Sequence, residues 1–423
     1  GFHQHTKAFY CGLCAKFFTM STSTIDIFWA EHGNSLQALR RDIHAHPELC
    51  FAEERTSSLV AEKLQSWGIT VHRGLGKTGL VGVIQKGSNA RAIGLRADMD
   101  ALPMQEHNQF PHASIHTGRM HPCGHDGHTA TMPATAQASA PHGAFDGTVY
   151  VIFQPAEEGG GGAKAMMDDG LFSRFPMDAI YALHNWPGLP VGTVAASAGP
   201  VMGSSNEFKI TIEGKGGHAA MPHLGQDPEV AAAALIQSLQ TIVSRNLRPI
   251  DDAVLSITIL RAGEASNVTP NTCTLEGTVR TFTLDVLDII EARMRQISSA
   301  ISSAYGCSST LVFERNYPPT INHAPQVDIV RRAATQALGV TSILAQEPTM
   351  GAEDFSYMLQ AKPGFYLFLG NGEGTHRVNG HGMGPCMLHN PSYDFNDALF
   401  PLAIKIWDEV VHIELPTAAR EPR

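Results

Sequence analysis

The sequence is poor in charged residues and has no basic cluster. Aspartate, glutamate, lysine and arginine make up only 17% of the 423 residues, and the formal net charge is -10. Because nucleic-acid binding requires clustered lysine and arginine, this composition argues against a nucleic-acid partner. No apolar run approaches the roughly 20 residues that a membrane-spanning helix needs. We therefore expect a small-molecule partner and no membrane association.

Cysteine is also sparse, with seven residues far apart in the chain. An odd, scattered set does not resemble the disulfide framework of a secreted domain, so a reducing cytoplasm is the expected location. Cys11 and Cys14 form a CxxC pair, but no second CxxC accompanies them. We interpret residues 1–19 as a leader or tail and assign them no role.

The length and the 43% apolar content predict a compact protein of two or three domains. Helical spacing between Ser35 and Trp67 predicts two helices, the first ended by Pro47, and short apolar runs at 79–85, 92–96 and 148–154 predict buried strands of an α/β sheet.

The pattern changes near Gly199 and then predicts the order strand, helix, strand, strand, helix, strand. This βαββαβ order is typical of a ferredoxin-like unit. The predicted strands are 207–213, 254–262, 272–281 and 309–314, and the predicted helices are 228–244 and 284–305. The sequence therefore predicts a catalytic domain in two parts, 20–199 and 316–423, with an inserted domain at 200–315.

The segment HPCGHDGH places Cys123, His125, Asp126 and His128 within six positions. Thiolate, imidazole and carboxylate are groups that transition metals accept, so the segment indicates a metal site. Since the chain has 21 histidines, a histidine-rich surface loop is the alternative.

The segment FQPAEEGGGGA brings Glu157 and Glu158 to the end of a predicted strand. At an irregular strand end one carboxylate can bind a metal while its neighbour acts as general base. The alternative is a solvated acidic loop. Two adjacent carboxylates repel unless a cation lies between them, which favours the metal site.

Two further histidines, His184 in ALHNWP and His389 in MLHNPSYDF, complete the candidates. Each alone is more often a buried structural histidine. With Cys123, His125 and Glu158 they make five ligands, enough for two metal ions.

Eight ordered motifs resemble the amidohydrolase branch of the peptidase M20 family, which includes hippurate hydrolases, auxin-conjugate hydrolases and N-acyl-amino-acid deacylases. The resemblance runs from about residue 35 to about residue 412. The motifs are RADMDALP, CGHDGH, QPAEEG, ALHNWP, GGHAAMPH, GTVRTF, MGAEDF and MLHNPSYDFND.

The resemblance implies a zinc-peptidase-like α/β catalytic domain, with a mixed sheet flanked by helices, and an inserted lid and dimerisation domain. It implies two divalent ions, of Mn, Zn, Co or Ni, with Glu157 as general base and Asp100 orienting a ligand. In an implied homodimer, His218 would reach the neighbouring subunit's active site and stabilise the oxyanion. The implied metal ligands are Cys123, His125, Glu158, His184 and His389.

The implied reaction is hydrolysis of the amide bond of N-acyl amino acids, whose carboxylate would be held by Asn267, Arg280 and Gly351. A guanidinium can bind a carboxylate through two hydrogen bonds, although Arg280 could instead be an outward strand residue in a salt bridge. The alternatives are a dipeptidase or carboxypeptidase, an N-acyl-diaminopimelate deacylase, and a catalytically silent metal-binding scaffold.

Several positions differ from other M20 branches or from close relatives, including Thr131, Met132, Pro133 and Ala134, which replace an apolar helical stretch. Asp98 stands where other M20 branches carry histidine, and Pro122 stands where a small residue is usual. Pro133 falls in an expected helical stretch, where it would cost about 3 kcal/mol in the interior but would be harmless in the first turn.

Overall fold

The computed structural model of this chain describes residues 23–139 and 145–417. The predicted leader or tail at 1–19, with Cys11 and Cys14, lies outside these residues.

The mixed α/β class is confirmed. The described helices are α1 Thr24–Ala45, α2 Glu54–Ser66, α3 His125–Ser139, α4 Gly162–Asp168, α5 Leu171–Arg174, α6 Pro228–Thr241, α7 Leu284–Ala304, α8 Ala324–Leu338, α9 Phe355–Ala361 and α10 Leu399–Glu414.

The strands form one large sheet, one smaller sheet and two short ribbons. They are β1 Thr70–Leu75, β2 Gly79–Lys86, β3 Ala92–Asp98, β4 Gly147–Gln154, β5 Ala179–Pro187, β6 Val194–Ala195, β7 Gly199–Met202, β8 Ser205–Glu213, β9 Gly217–His218, β10 Ala253–Arg261, β11 Val268–Thr269, β12 Thr272–Thr281, β13 Ser308–Tyr317, β14 Thr320–Asn322, β15 Ile343–Leu344 and β16 Gly364–Gly372.

The large sheet has the strand order β1-β2-β4-β3-β5-β16-β6-β15. Its central strands β4, β3, β5 and β16 are mutually parallel, whereas β1 and β2 pair antiparallel with their neighbours. Strand β6 is antiparallel to β16 and parallel to β15. The carboxyl ends of parallel strands meet at one edge of a sheet, where open α/β sheets bind ligands. The segments that follow β3 and β4 therefore emerge side by side.

Helices cover both faces of this sheet. Helices α2, α3, α8 and α10 share one apolar cluster with it, and α4, α5 and α9 share another. Val60, Val330 and Trp407 on the first face, and Met166 and Phe355 on the second, are almost fully buried. Burial of each such side chain contributes roughly 1.5–3 kcal/mol, so the sheet edge that carries the site rests on a rigid core.

The smaller sheet has the order β10-β12-β8-β13, and all its pairs are antiparallel. Helices α6 and α7 bury their apolar residues against it. We call residues 205–317 the inserted unit. Its four strands in this sheet and its two helices follow one another in the order βαββαβ, and β9 and β11 form a separate short ribbon within it. Along β8, buried residues alternate with more exposed ones, as expected for a sheet with helices on one face.

Helix ends differ from the sequence predictions where side chains cap them. Helix α1 begins at Thr24, well before Ser35, because Ser23 and Asp26 form a capping box. It ends at Ala45, two residues before Pro47. The helix predicted at 228–244 is α-helical only to Thr241 and continues as a π-helix over Ile242–Asn246.

Pro133 is the ninth residue of α3 and therefore lies in the helix interior. The sequence left open whether Pro133 lies in the first turn or in the interior of the helix. The structure shows the interior position, where proline is destabilising. Among the described helices, none is both long and apolar enough to cross a membrane.

Candidate metal centre and active site

The sharp turn into α3 places two candidate ligands next to each other. Cys123 is buried just before the helix, and His125 is its first residue. Between them, Gly124 has a φ of +86°, and a Cβ there would clash with the side-chain amide of Asn185. Only glycine fits this position, so the turn directs both side chains to the sheet edge.

The structure brings the five candidate ligands together. One ligand atom from each of Cys123, His125 and Glu158 lies within 4.8 Å of the other two. His184 Nε2 lies 3.4 Å from Cys123 Sγ, and His389 Nε2 lies 3.1 Å from Glu158 Oε1. These residues lie on the turn into α3, the turn after β4, strand β5 and the loop before α10, so a bound ion would join distant parts of the chain.

The second ring nitrogens of two histidines are occupied in a way that suits metal binding. His125 Nδ1 lies 2.9 Å from the carbonyl oxygen of Asp100, and His184 Nδ1 lies 2.7 Å from that of Asn185. When Nδ1 donates to a carbonyl, Nε2 keeps its lone pair for a metal. His125 Nε2 is buried and has no hydrogen-bond partner among the described residues, which a metal ion would supply.

His389 and Ala156 adopt left-handed backbone conformations, with φ values of 59° and 53°. Such values are uncommon for residues other than glycine and persist where surrounding contacts impose them. The amide of His389 donates to the carbonyl of Pro122 at 2.8 Å. The unusual Pro122 thus helps to hold the loop that carries His389 beside the turn that carries Cys123.

Asp100 binds the backbone of the turn after β4. Its two carboxylate oxygens accept the amide N–H groups of Glu157 at 3.0 Å and Glu158 at 2.9 Å. Its Oδ1 also lies 3.3 Å from His125 Nδ1. One buried carboxylate therefore orients both adjacent glutamates and one histidine ligand.

Glu157 is buried against two further carboxylates. One oxygen from each of Glu157, Glu353 and Asp354 lies within 4.8 Å of the other two. Burial, together with the charges of Glu353 and Glu158, raises the pKa of Glu157 well above its usual range. A carboxylate with a raised proton affinity is suited to accept a proton during catalysis.

Arg96 is the buried cation behind this group. Its guanidinium lies 2.9 Å from Asp98, 2.8 Å from Glu353 and 3.1 Å from Asp354. Six carboxylates lie around the site and Arg96 pairs with three of them, so bound divalent cations would offset negative charge that Arg96 leaves unpaired. The six are Asp98, Asp100, Glu157, Glu158, Glu353 and Asp354.

The pKa values of three ligands reflect their buried surroundings and their charged neighbours. Burial and the carboxylates of Glu158 and Glu157 raise the pKa of the Cys123 thiol well above its usual range, an effect that a coordinated cation reverses. Burial would lower the pKa of His125, but Asp98 and Asp100 raise it to about 10. Burial and His128 lower the pKa of His184, which keeps its ring neutral and able to bind a metal. The donor set of thiolate, imidazole and carboxylate fits a divalent transition metal.

His128 lies in the ligand-rich segment, but both of its nitrogens are in use. Nδ1 lies 2.7 Å from Asp98 Oδ1, and Nε2 accepts the amide N–H of Asn185 at 3.0 Å. The structure thus places His128 as a support between β3 and β5.

Sequence reasoning gave no role to Arg96, Glu353 or Asp354, although all three lie within the motifs RADMDALP and MGAEDF.

The predicted substrate and oxyanion residues are not bonded to the ligand cluster within this chain. His218 is exposed on β9, and its Nδ1 accepts the amide N–H of Ala220 at 3.1 Å. Asn267 is exposed, and its carbonyl accepts from Ala219. Arg280 is half-buried and donates to Thr278 Oγ1 at 3.2 Å. The carbonyl of Gly351 accepts the amide of Gly203 at 2.9 Å, beside the strand that leads into the inserted unit.

Comparison with known protein families matches residues 94–412 to peptidase family M20/M25/M40. The chain belongs to this family. The resemblance noted in the sequence is therefore confirmed.

Individual M20 relatives match over most of the chain. Hippurate hydrolase from Campylobacter jejuni is 39% identical over 368 residues, which cover 87% of this chain and 93% of the relative. N-acetyl-L-cysteine deacetylase from Bacillus subtilis is 39% identical over 342 residues, 81% of each chain. A crystal structure of a dinuclear metal-binding M20 peptidase from Bacillus subtilis has a TM-score of 0.79 at 32% identity and covers 91% of this chain and 99% of that one.

Proposed function

We propose that this chain hydrolyses the amide bond of N-acyl amino acids and releases a carboxylic acid and a free amino acid. The observation that carries the proposal is the buried Glu157 beside the convergent ligand cluster. Two relatives are named for hippurate and N-acetyl-L-cysteine, which are both N-acylated amino acids.

The five clustered residues would hold two divalent cations of Mn, Zn, Co or Ni, and a relative of this fold is described as dinuclear. Such ions polarise an amide carbonyl and make a neighbouring water acidic. The thiolate ligand Cys123 has to remain reduced, which fits a cytoplasmic location.

Glu157 would accept the proton of the attacking water and return it to the leaving nitrogen. Its burial keeps bulk water away, and Asp100 fixes the backbone that carries it. Glu158, the next residue, bonds instead toward His389. The two adjacent glutamates would therefore have different roles. Glu157 lies beside the carboxylates of Glu353 and Asp354, whereas Glu158 lies beside the candidate ligand His389.

Arg280 would bind the substrate carboxylate with Asn267 and the backbone of Gly351. Arg280 is half-buried and forms no ion pair among the described residues, so its guanidinium is available to an anionic ligand. His218 would stabilise the oxyanion in the active site of a second subunit, because it is exposed and lies outside the cluster of its own chain. This role of His218 requires a second subunit, so the proposal includes a homodimer formed through the inserted unit.

Substitution of the two adjacent glutamates tests the proposal. Glu157→Gln should keep its metal content and lose turnover, because the amide does not accept the proton. Glu158→Gln should lose metal as well as turnover. Hydrolysis of hippurate, N-acetyl amino acids, N-acetyldiaminopimelate and dipeptides should be measured side by side, after chelation and after metal add-back. Active Glu157→Gln enzyme with full metal occupancy would refute the base assignment, and metal-loaded wild type inactive on the whole panel would indicate a silent scaffold.

A further inference from the structure

The two connections between the inserted unit and the large sheet meet at one pair of residues. Ser205 begins β8, the first strand of the inserted unit, and Tyr317 ends β13, its last strand. The two residues are partners in the β8–β13 ladder, after a register shift between Arg315 and Tyr317. The chain therefore enters and leaves the inserted unit at this pair of residues.

The hydroxyl of Tyr317 binds the turn that carries the proposed base. It donates to the carbonyl oxygen of Glu157 at 2.8 Å and accepts the amide N–H of Gly161 at 3.0 Å. Tyr317 is buried, with 9% of its surface exposed. A single hydroxyl thus bridges the two ends of the glycine-rich turn.

The other side chains that bind this turn lie outside the inserted unit. Glu53 accepts the amide of Ala156 at 2.9 Å, and Asp354 accepts that of Ala163 at 2.9 Å. Asp100 accepts the amides of Glu157 and Glu158, as described above. Within the described parts of the chain, Tyr317 is the one residue of the inserted unit that bonds to this backbone.

The position of Tyr317 is itself supported by Tyr357, which lies outside the inserted unit. Its ring meets the ring of Tyr357 edge to face, with centroids 6.1 Å apart, and the Tyr357 hydroxyl donates to the carbonyl of Asn316. Tyr357 lies on α9, three residues after Asp354. The junction is therefore packed and hydrogen-bonded on both sides.

We propose that Tyr317 is a positioning residue that couples the inserted unit to the orientation of Glu157. The inference rests on the proposed function of Glu157 as general base. The carbonyl of Glu157 accepts only from Tyr317 and, at 2.8 Å, from the amide of Gly159 two residues along the same turn, among the bonds of the described residues. Without the hydroxyl, this peptide keeps its bonds to Asp100 and Gly159 but loses one of the two donors to its carbonyl. The backbone that carries the carboxylate is then held less firmly, and small misplacements of a catalytic group are costly in rate.

Tyr317→Phe removes the hydroxyl and keeps the ring. We expect kcat to fall roughly ten- to hundredfold while KM changes less than about twofold and metal content is unchanged. Tyr181→Phe is the matched control, because Tyr181 is a buried tyrosine of the large sheet whose hydroxyl bonds to Glu414, remote from the turn. It should lower thermal stability without changing kcat. Equal kcat in the wild type and Tyr317→Phe, or an equal loss of kcat in both variants, would overturn the proposal.

Hydrogen exchange followed by mass spectrometry gives a second readout that needs no substrate. In the wild type, the peptide containing Gly161 should be protected, and in Tyr317→Phe it should exchange faster while peptides of β4 and β13 keep their protection. Rapid exchange at Gly161 in the folded wild type would overturn the proposal even if the variant did not fold. If the wild type shows this protection but cleaves no substrate of the panel, the general-base function fails while the contact between Tyr317 and the turn stands.

Discussion

His44 Nδ1 lies 2.9 Å from Asp126 Oδ2, and both side chains are completely buried behind the metal-ligand turn. The other ring nitrogen of His44 lies 3.1 Å from Glu106. Asp126 follows His125 directly in α3, so this pair fixes the helix start that carries a candidate ligand. Burial would lower the pKa of His44, but Asp126 and Glu106 outweigh burial and raise it to about 10.

This raised pKa predicts a loss of stability at alkaline pH. A histidine in the unfolded chain titrates near pH 6.5, so between about 6.5 and 10 the folded state binds the extra proton. The stabilisation is therefore complete below pH 6.5 and is lost as the pH rises through about 10. We expect the free energy of unfolding to fall by on the order of a few kcal/mol over this interval, as measured by urea denaturation of metal-loaded protein.

The comparison variant for this pH dependence is His44→Gln. It should be less stable than the wild type at neutral pH, and its stability should change less with pH over the same interval. Parallel profiles for the two proteins would show that His44 is not the group responsible.

Arg40 provides a second prediction from the same buried network. Its guanidinium lies 3.3 Å from Asp126, 2.8 Å from Asp394 and 2.9 Å from Asp397, and its side chain is 1% exposed. Arg40→Met should destabilise the fold by about 3–5 kcal/mol, because it leaves buried carboxylates without their cation. Chemical denaturation at neutral pH measures this difference.

Arg41 is the matched control, since it also binds Asp397, at 2.9 Å, but is 46% exposed. A solvent-exposed ion pair contributes at most about 1 kcal/mol, so Arg41→Met should be nearly neutral. Similar losses in the two variants would contradict the claim that burial makes Arg40 important.

The two sheets could be predicted from sequence because their strands follow local rules. In β8, apolar and polar residues alternate, and in β3 every residue is buried. Helix starts were less predictable where a short cap decides them, as at Ser23, which lies outside the apolar periodicity. The π-helical continuation of α6 was not predicted, since periodicity does not distinguish the two helix types.

The ligand candidates were recognisable because chemically reactive residues follow strand ends in short motifs. Arg96 was not assigned, because a charged residue inside the apolar strand β3 reveals its role only when Glu353 and Asp354 are seen beside it. Tyr317 carries no chemical signal either, since its hydroxyl acts on backbone atoms more than 150 positions away. Long-range polar contacts of this kind depend on the packed fold rather than on sequence pattern.

Asp100→Asn tests how the turn after β4 supports the ligands. The substitution replaces one carboxylate oxygen by an NH₂ group, which would face an amide N–H of Glu157 or Glu158 with no acceptor. We expect metal affinity to fall roughly 10- to 100-fold, as for the loss of other groups that orient ligands. Titration of the apoprotein against a chromophoric chelator measures the affinity.

Asp178→Asn is the control for this substitution, because Asp178 also accepts a backbone amide, that of Ala92 at 2.9 Å, at the opposite end of β3. Its metal affinity should equal that of the wild type. If Asp100→Asn also bound metal with wild-type affinity, the support role of Asp100 would be excluded.

Pro133→Ala should stabilise the protein, because Pro133 lies in the interior of α3, where proline lacks the amide hydrogen that bonds to the preceding turn. Restoring that hydrogen bond and relieving the ring clash gain about 3 kcal/mol, and loss of buried ring methylenes removes roughly 1–2 kcal/mol. We therefore expect a net gain of about 1–2 kcal/mol in the free energy of unfolding by urea denaturation. Pro228→Ala is the control, since Pro228 is also buried but occupies the first turn of α6, capped by Asp227, where proline is favourable. It should give no gain, and a Pro133→Ala variant less stable than the wild type would show that α3 is adapted to its proline.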